Sequence, residues 1–336
     1  MKRRRTWAVL PLVLVAAVAC TSGGNKNPSP GTTATSGGAV KQTSFRIAVV
    51  THGQASDPFW SIVSNGVKAA AQDEGVSVTY NAPPTFDMVA MSHLIDGAVA
   101  SKPDGLIVSI PDADALGPSI KKAVDAGIPV ISINSGSDVF SDLGVLAHIG
   151  QNEEVAGQLA GERMKDAGVT HAICVNQEVG NVGLDLRCKG FNEGLGFDAE
   201  VVPVDLNDPG GITQTIGNKL SSDPDIDGIL TLGPTASTPV LQALQQANKV
   251  GQITFSTFDL STDVLHAVAD GDMLFAIDQE QYLQGYLSIV YMTQFLKTGA
   301  VPAGSASPVG ATLTGPQFVT KDTAEATIKF TDEGVR

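Results

Sequence analysis

The chain has 336 residues, a formal net charge of −14 at pH 7 and 43% hydrophobic residues. This length allows two domains, each with its own core. An acidic chain is repelled by nucleic acids and by anionic lipid surfaces, so the charge argues against an electrostatic nucleic-acid binder and predicts no nucleic-acid partner.

The first twenty residues have the pattern of a secretory signal. Four Lys and Arg residues at positions 2–5 precede an apolar run over 8–19, which is too short to remain in a bilayer as a span. Cys20 follows directly and resembles the lipidated cysteine of a bacterial lipobox, although Ala17 stands where Leu is usual. We therefore expect a signal peptide at 1–19 and a lipid anchor at Cys20 on the outer face of the cytoplasmic membrane. The alternative is a secreted protein with a free thiol.

The stretch over 20–44 is polar and rich in Gly, Ser, Thr and Pro. It has nothing to bury, so we expect a flexible tether. Loss of the four N-terminal cations with the signal would take the net charge from −14 to −18. About 290 residues remain from Phe45 onward, and no later stretch is apolar for long enough to predict a membrane span.

Short β-branched runs alternate with amphipathic stretches along the rest of the chain. In the first block, strands are predicted at 45–50, 76–80, 105–110 and 129–133, and helices at 58–75, 88–100 and around 120–124. The pattern restarts after Gly150 with a helix lined by Val155, Leu159 and Met164. Further strands are predicted at 172–175, 199–204, 228–232, 253–256 and 273–277, and helices at 211–220, 238–247, from about 262, and 282–297. Two successive βαβαβ blocks predict an α/β fold with two Rossmann-like parallel-sheet lobes.

The chain has three cysteines. With Cys20 assigned to lipid, Cys174 and Cys188 remain as an even pair outside the cell, where thiols oxidise, so a disulfide is favoured over two separate buried thiols. A bridge that closes a loop of this length would stabilise the fold by about 3 kcal/mol. The histidines are scattered without metal-ligand spacing, so we expect no metal and no cofactor.

Polar residues follow several of the predicted strands. Asp57, Asn134, Asp259 and Gln279 all lie just after a strand end. In open α/β sheets, ligands bind outside the carboxyl ends of the strands. These residues are therefore expected to converge on one cleft between the lobes.

Aromatic residues accompany two of these carboxylates. Phe59 and Trp60 follow Asp57, and Phe258 precedes Asp259. An aromatic face beside a carboxylate suits a sugar or polyol, because the ring packs on the C–H face while the carboxylate accepts hydroxyl hydrogens. The alternatives are that the rings belong to the lobe cores and that Asp259 simply caps the next helix.

The segment 180–183 is a glycine loop without the spacing of a phosphate cradle, so no nucleotide is assigned to it. Asn181 in this loop and Asp185 and Arg187 beyond it are candidate ligand residues. The guanidinium of Arg187 can donate hydrogen bonds to two ligand oxygens, or the side chain can lie on the surface. The chain has no Gly-x-Ser-x-Gly or His-Glu-x-x-His motif, so we expect a binding protein and not an enzyme.

The order of several short segments carries a resemblance to a known family. The segments are Asp57-Pro58-Phe59-Trp60, Gly127-Ile128-Pro129-Val130-Ile131, Ile149-Gly150-Gln151-Asn152-Glu153, Phe258-Asp259, Asp270-Gly271, and Ala276-Ile277-Asp278-Gln279 with Gly285. Over about 45–321 the chain resembles the periplasmic sugar-binding proteins of the ribose/galactose type, the substrate-binding components of ABC importers. The resemblance implies a monomer that hands its ligand to an ABC permease. It also implies a hinge of three crossings, with one lobe over 45–150 plus 279–311 and the other over 151–278 plus 312–336.

The resemblance, together with the candidates above, predicts a set of ligand-binding residues. These are Asp57, Phe59, Trp60, Asn134, Asn181, Asp185, Arg187, Thr235, Phe258, Asp259 and Gln279. Either Asp185 or Arg187 matches the second-lobe Arg of the family, and Thr235 is taken to substitute for a ligand Asn that is common where Gly233 stands.

One departure from the family bears on the ligand. Asn134 and Ser135 stand where aldose binders often hold an Asp–Arg pair. Without that pair the site should discriminate ligand hydroxyls differently. We therefore expect a sugar alcohol, a cyclitol or an unusual pentose as the ligand no less than ribose or galactose. A sensory module for a chemoreceptor or kinase, and a nucleoside or autoinducer ligand, remain alternatives. A lactose-repressor-like regulator would need an N-terminal helix-turn-helix, and an extracellular enzyme would need a nucleophile–base pair; neither is found.

Overall fold

The structure is a computed structural model that describes residues 45–53, 57–301 and 310–336. The expected signal peptide, the lipidation site Cys20 and the linker lie outside the described residues. No helix in the described part of the chain is both long enough and apolar enough to cross a membrane.

Twelve strands and ten helices are present in the described residues. The strands are β1 (Arg46–Val50), β2 (Ser77–Asn81), β3 (Gly105–Val108), β4 (Val130–Ile133), β5 (Ala147–Gly150), β6 (Ala172–Asn176), β7 (Glu200–Pro203), β8 (Gly228–Thr231), β9 (Thr254–Phe258), β10 (Phe275–Asp278), β11 (Ala311–Leu313) and β12 (Gln317–Thr320). The helices are α1 (Pro58–Glu74), α2 (Met88–Ala100), α3 (Ala113–Asp125), α4 (Glu153–Asp166), α5 (Val182–Leu195), α6 (Pro209–Ser222), α7 (Pro234–Gln246), α8 (Thr262–Asp270), α9 (Gln281–Thr298) and α10 (Lys321–Asp332).

The strands form two six-stranded sheets with equivalent strand orders. The first has the order β11-β5-β4-β3-β1-β2 and the second β12-β10-β9-β8-β6-β7. All neighbours are parallel except β12, which runs antiparallel to β10. Apolar side chains on both faces of each sheet pack under the helices. The predicted α/β fold with two Rossmann-like parallel-sheet lobes is therefore confirmed.

The chain passes between the two sheets three times. It leaves the first sheet after Gly150 in β5, leaves the second after Asp278 in β10, and passes from β11 to β12 through a cis Gly315–Pro316 peptide. Between the last two passages, α9 packs against α1 and the first sheet. Because β11 pairs with β5 as far as Leu313, the first sheet continues two residues past the lobe boundary expected at 311.

Close helix packing in the second lobe brings α4 and α5 together through glycines. A Cβ at Gly157 would lie 2.1 Å from the Arg187 carbonyl oxygen, and one at Gly190 would lie 1.9 Å from that of Glu154. Only glycine permits this approach. Val155 and Leu159, expected on the buried face of α4, are instead 43% and 36% exposed, because glycine and alanine form the face that packs.

Candidate functional site

A polar cavity lies where the carboxyl ends of strands from both sheets meet. The lining residues are His52, Asp57, Phe59, Trp60, Asn134, Ser135, Glu153, Gln177, Glu178, Asn181, Gly183, Leu184, Arg187, Leu232, Gly233, Pro234 and Asp259.

The first-lobe wall combines one carboxylate with aromatic rings. Asp57 is the N-cap of α1, and its Oδ1 accepts a hydrogen bond from the Phe59 backbone N–H at 2.9 Å. The Phe59 and Trp60 rings meet edge to face with centroids 5.0 Å apart, and His52 meets Trp60 in the same way at 4.7 Å. The capping bond and ring contacts hold Asp57 and Trp60 against the cavity.

The second-lobe wall contains a carboxylate at the end of β6. Glu178 Oε2 accepts a hydrogen bond from Asn181 Nδ2 at 2.7 Å, and Asn181 also caps α5 through its Oδ1. His52 Nε2 of the first lobe lies 3.7 Å from the same Glu178 oxygen. Nearby, the Val182 N–H donates to the Pro111 carbonyl at 3.0 Å, so the two lobes touch around the cavity.

Arg187 is buried at the base of the second-lobe wall. It donates to Glu153 twice, from Nε to Oε2 at 2.6 Å and from Nη2 to Oε1 at 3.1 Å, and from Nη1 to the Leu232 carbonyl at 2.9 Å. Its guanidinium carbon lies 4.4 Å from the Phe258 ring centroid. Nη1 also lies 3.7 Å from Asp259 Oδ2. The guanidinium is thus held by protein groups on several sides.

Gln279 joins the two lobes through its side-chain amide. Asn134 Nδ2 donates to Gln279 Oε1 at 3.3 Å, and Gln279 Nε2 donates to Asp259 Oδ1 at 2.6 Å. Asn134 follows β4 and Asp259 follows β9, which are equivalent strands of the two sheets. Both residues have φ of +63°, a left-handed conformation that Asn and Asp tolerate better than most residues. This shared turn aims both side chains at the hinge.

Burial changes the proton affinities of the cavity groups. It raises the pKa of Asp57 to about 6 and those of Glu178 and Asp259 to about 7, because a buried carboxylate loses its hydration. Burial, reinforced by the charge of Arg187, lowers the pKa of His52 to about 3, so this imidazole is neutral at pH 7. The closed cavity is therefore an acidic site whose one cationic side chain, among the described residues, is Arg187.

The fold and the cleft can be compared with known proteins. A family model described as "periplasmic binding protein domain" matches residues 47–300. The chain belongs to this family. It is a family of binding proteins, and its name places its members outside the cytoplasm.

Three members of the family show the range of similarity. A solved carbohydrate transporter from Acidothermus cellulolyticus 11B, in complex with myo-inositol, is 37% identical with a TM-score of 0.83, covering 88% of this chain and 100% of that chain. The xylitol-binding protein of Mycolicibacterium smegmatis is 24% identical over 70% of this chain and 68% of that protein. The xylose/arabinose-binding protein XylF of Sulfolobus acidocaldarius is 22% identical over 75% of this chain and 66% of that protein, slightly less than two thirds of its length.

The structure brings most of the predicted ligand residues of this family member to the cavity. Those that line it are Asp57, Phe59, Trp60, Asn134, Asn181, Arg187 and Asp259. Phe258 and Gln279 do not line it but support Arg187 and Asp259 from behind. Thr235 donates to Asp57 Oδ2 across the cleft at 3.5 Å, a long hydrogen bond.

Asp185 does not reach the cavity. It is exposed and accepts a hydrogen bond from Asn176 Nδ2 at 3.0 Å. Residues two apart on a helix point in nearly opposite directions. Since Arg187 faces the cavity, Asp185 on α5 must face away from it.

Among the lining residues that sequence reasoning did not predict are four with charged, imidazole or amide side chains: His52, Glu153, Gln177 and Glu178. Three of them follow strands, His52 after β1 and the other two after β6. The strand-end rule that selected Asn134 would have found them as well. Glu153 opens α4, and no local pattern distinguishes it from an ordinary first-turn acid.

The predicted disulfide is present. Cys174 in β6 and Cys188 in α5 are bonded with an S–S distance of 2.05 Å. The bridge ties the helix that carries Arg187 to the strand that leads to Glu178. No group of His, Cys, Asp or Glu suited to holding a metal ion occurs in 45–53, 57–301 or 310–336.

Proposed function

We propose that the protein is the solute-binding component of an ABC importer. It closes its two lobes on a small polyhydroxylated ligand and delivers it to the permease as a monomer. A cyclitol or sugar alcohol is the ligand class we favour, ahead of an aldose. The relative in complex with myo-inositol, 37% identical along nearly the whole body, supports the cyclitol class.

The cavity itself carries this proposal. Carboxylates from both lobes face an aromatic wall in one cavity. Vicinal hydroxyls of a polyol can donate to Asp57 and Asp259 from opposite sides, while the C–H face of the ligand packs on Trp60. The aldose-type Asp–Arg pair is replaced by Asn134 and Ser135, whose side chains bond to each other at 2.8 Å.

Closure in this proposal depends on the ligand. Closing the empty cleft buries three carboxylates whose pKa values rise because they lose water. That cost favours the open form of the unliganded protein. Ligand hydroxyls that donate to these carboxylates offset the cost only in the closed form, so binding shifts the population toward closure.

The proposal also assigns the ends of the chain. We propose that the signal peptide 1–19 is removed and that Cys20 is lipidated. The 24 linker residues 21–44 would give the body a reach of roughly 25–30 Å as a flexible chain. We place the lobe boundaries at 45–150 plus 279–313 and at 151–278 plus 316–336.

The test uses the chain from Thr21 onward, which retains every described residue. Of the two tryptophans, Trp7 and Trp60, only Trp60 remains, so intrinsic fluorescence reports on the cavity wall. The chain is titrated with myo-inositol, xylitol, ribose, galactose and a nucleoside. We expect a saturable change with a cyclitol or polyol, and its loss in Asp259→Asn, which keeps the acceptor for Gln279. No response to any member of the panel in fluorescence or calorimetry would refute the proposed function.

A further inference from the structure

Several side-chain donors at the cavity are already committed to protein acceptors, whereas the Trp60 indole N–H and the Gln177 amide N–H groups donate to no described residue. Arg187 uses Nε, Nη1 and Nη2 on Glu153 and on the Leu232 carbonyl. Asn181 Nδ2 is bound to Glu178 and Gln279 Nε2 to Asp259. The side chains of Arg187, Asn181 and Gln279 are therefore largely engaged before a ligand enters.

The acceptors of the cavity are, in contrast, largely unused. Asp57 Oδ2 receives only the 3.5 Å hydrogen bond from Thr235. From the described residues, Glu178 Oε1 receives no hydrogen bond, and Asp259 Oδ2 has only Arg187 at 3.7 Å. Gln177 Oε1, also in the cavity wall, is buried and has no hydrogen-bond partner within 45–53, 57–301 or 310–336. The cavity thus requires a ligand that is rich in donors.

The charge of the cavity points in the same direction. Four carboxylates line it, those of Asp57, Glu153, Glu178 and Asp259, against the single guanidinium of Arg187. Glu153 takes up that guanidinium in a two-point ion pair and Asp259 lies 3.7 Å from it, so Asp57 and Glu178 have no ion pair with a Lys or Arg of the described residues. Asp57, Glu178 and Asp259 repel one another. Burial is the largest cause of the raised pKa of Glu178, and the charges of Asp57 and Asp259 add to it while Arg187 opposes them. His52 is neutral and adds no positive charge.

We propose that the preferred ligand is a polyol with a protonated amine, such as an aminocyclitol or an amino sugar, whose ammonium lies among Asp57, Glu178 and Asp259. An ammonium has three N–H donors and no acceptor, which complements a cavity of free acceptors. Its hydrogen bonds to carboxylates are charge-assisted and stronger than those of a hydroxyl. The neighbouring Trp60 ring adds a favourable face for a cation.

This inference rests on the proposed function, because it names the ligand class of the same cleft. In this inference Glu178 is the residue that discriminates a ligand with an amine from one with a hydroxyl at the same position. Glu178 Oε2 accepts a hydrogen bond from Asn181, and Oε1, which accepts none from the described residues, is left for the ligand. The same charge excludes sugar acids and sugar phosphates, which would add a negative charge to an acidic cavity.

The test compares matched pairs of ligands that differ only in one group. The chain from Thr21 is titrated at pH 7.5 with myo-inositol and its monoamino analogue, galactose and galactosamine, and the N-acetyl form of each amine. Affinity is read from Trp60 fluorescence and calorimetry. We expect at least one amine to bind about ten-fold or more tighter than its hydroxyl partner. Acetylation, which removes the charge, should abolish that advantage.

Two variants assign the effect to the carboxylate. Glu178→Gln should weaken the amine by about ten-fold or more while it changes the affinity of the neutral partner by less than about three-fold. Glu325→Gln, the same change at an exposed site on α10, should alter neither. If Glu178→Gln does not fold by circular dichroism, Asp57→Asn takes its place with the same expected loss.

The outcomes separate the two proposals. If neutral polyols bind and every amine binds equally or more weakly, the amine inference is overturned and the polyol-binding function stands. If Glu178→Gln weakens both members of a pair equally, recognition of the amine by Glu178 is overturned. If no member of any pair binds, the proposed function itself fails.

Discussion

Replacing Arg187 with methionine removes the cation that holds the second-lobe wall together. The guanidinium and Glu153 are 5% and 3% exposed and joined at 2.6 Å. Methionine keeps the length of the side chain beside Phe258 but leaves Glu153 charged, buried and unpaired. Breaking a buried pair in this way costs about 3–5 kcal/mol of unfolding free energy. The lost hydrogen bond to the Leu232 carbonyl adds to this cost.

The double variant Arg187→Met with Glu153→Gln measures how much of the loss in stability comes from the buried Glu153 carboxylate that has no cation beside it. Glutamine retains an acceptor for Gln151, and the buried negative charge is gone. We expect the double variant to recover about 1–3 kcal/mol relative to Arg187→Met alone, which is the coupling typical of residues in contact.

Unfolding in guanidinium chloride measures these differences, with fluorescence and circular dichroism followed together so that the lobes are known to unfold in one transition. Lys189→Met is the matched control on the same helix. The ion pair of Lys189 with Glu154 is exposed, so Lys189→Met should lower the free energy of unfolding by less than about 1 kcal/mol. If Arg187→Met lowers the free energy of unfolding no more than Lys189→Met does, or if the double variant is no more stable than Arg187→Met, the Arg187–Glu153 pair does not stabilise the second-lobe wall.

Three further predictions follow from single features of the fold. Replacing Cys174 and Cys188 together with alanine should lower the unfolding free energy by about 3 kcal/mol, measured in urea, because the cross-link restricts the unfolded chain; an unchanged midpoint would contradict this. Burial raises the pKa of Glu178 to about 7, so protonation of this group stabilises the closed empty form as pH falls from 7 toward 4. Ligand affinity should fall between pH 8 and 5, because protonation removes the carboxylate that accepts from the ligand. A flat profile of affinity against pH in fluorescence titrations would contradict this. Arg336→Gln leaves the fully buried Asp278 at the hinge without its cation and should cost about 1.5–3 kcal/mol in thermal or denaturant unfolding; wild-type stability would rule it out.

The fold class was predictable because the central parallel strands, such as β3, β4 and β8, are apolar runs buried on both faces and most helices show one apolar side. Helix α5 was not predicted from this pattern. Gly183, Gly190 and Gly194 mark it as a loop by propensity, yet Gly190 and Gly194 allow its backbone to pack closely on α4. Tertiary contact overrides local preference at this helix.

The short elements near the hinge also escaped prediction. Strands β5, β11 and β12 have three or four residues each, and β11 is partly exposed, so neither length nor alternation distinguishes them from loops. They become strands because they pair at the edges of sheets that distant segments have already built. Pairing of this kind is not encoded in the local pattern.

The sequence by itself determined the alternation of strands and helices, the cysteine pair and the polar residues that end the strands, because these depend on local composition and spacing. Only the tertiary structure decided which polar residues meet. Helix phase turned Arg187 inward and Asp185 outward, and the packing of α4 on α5 brought Glu153 to Arg187. With Arg187 committed to Glu153, the remaining carboxylates form an acidic cavity. The balance of charge in a site depends on distances between residues far apart in the chain, and no local pattern contains them.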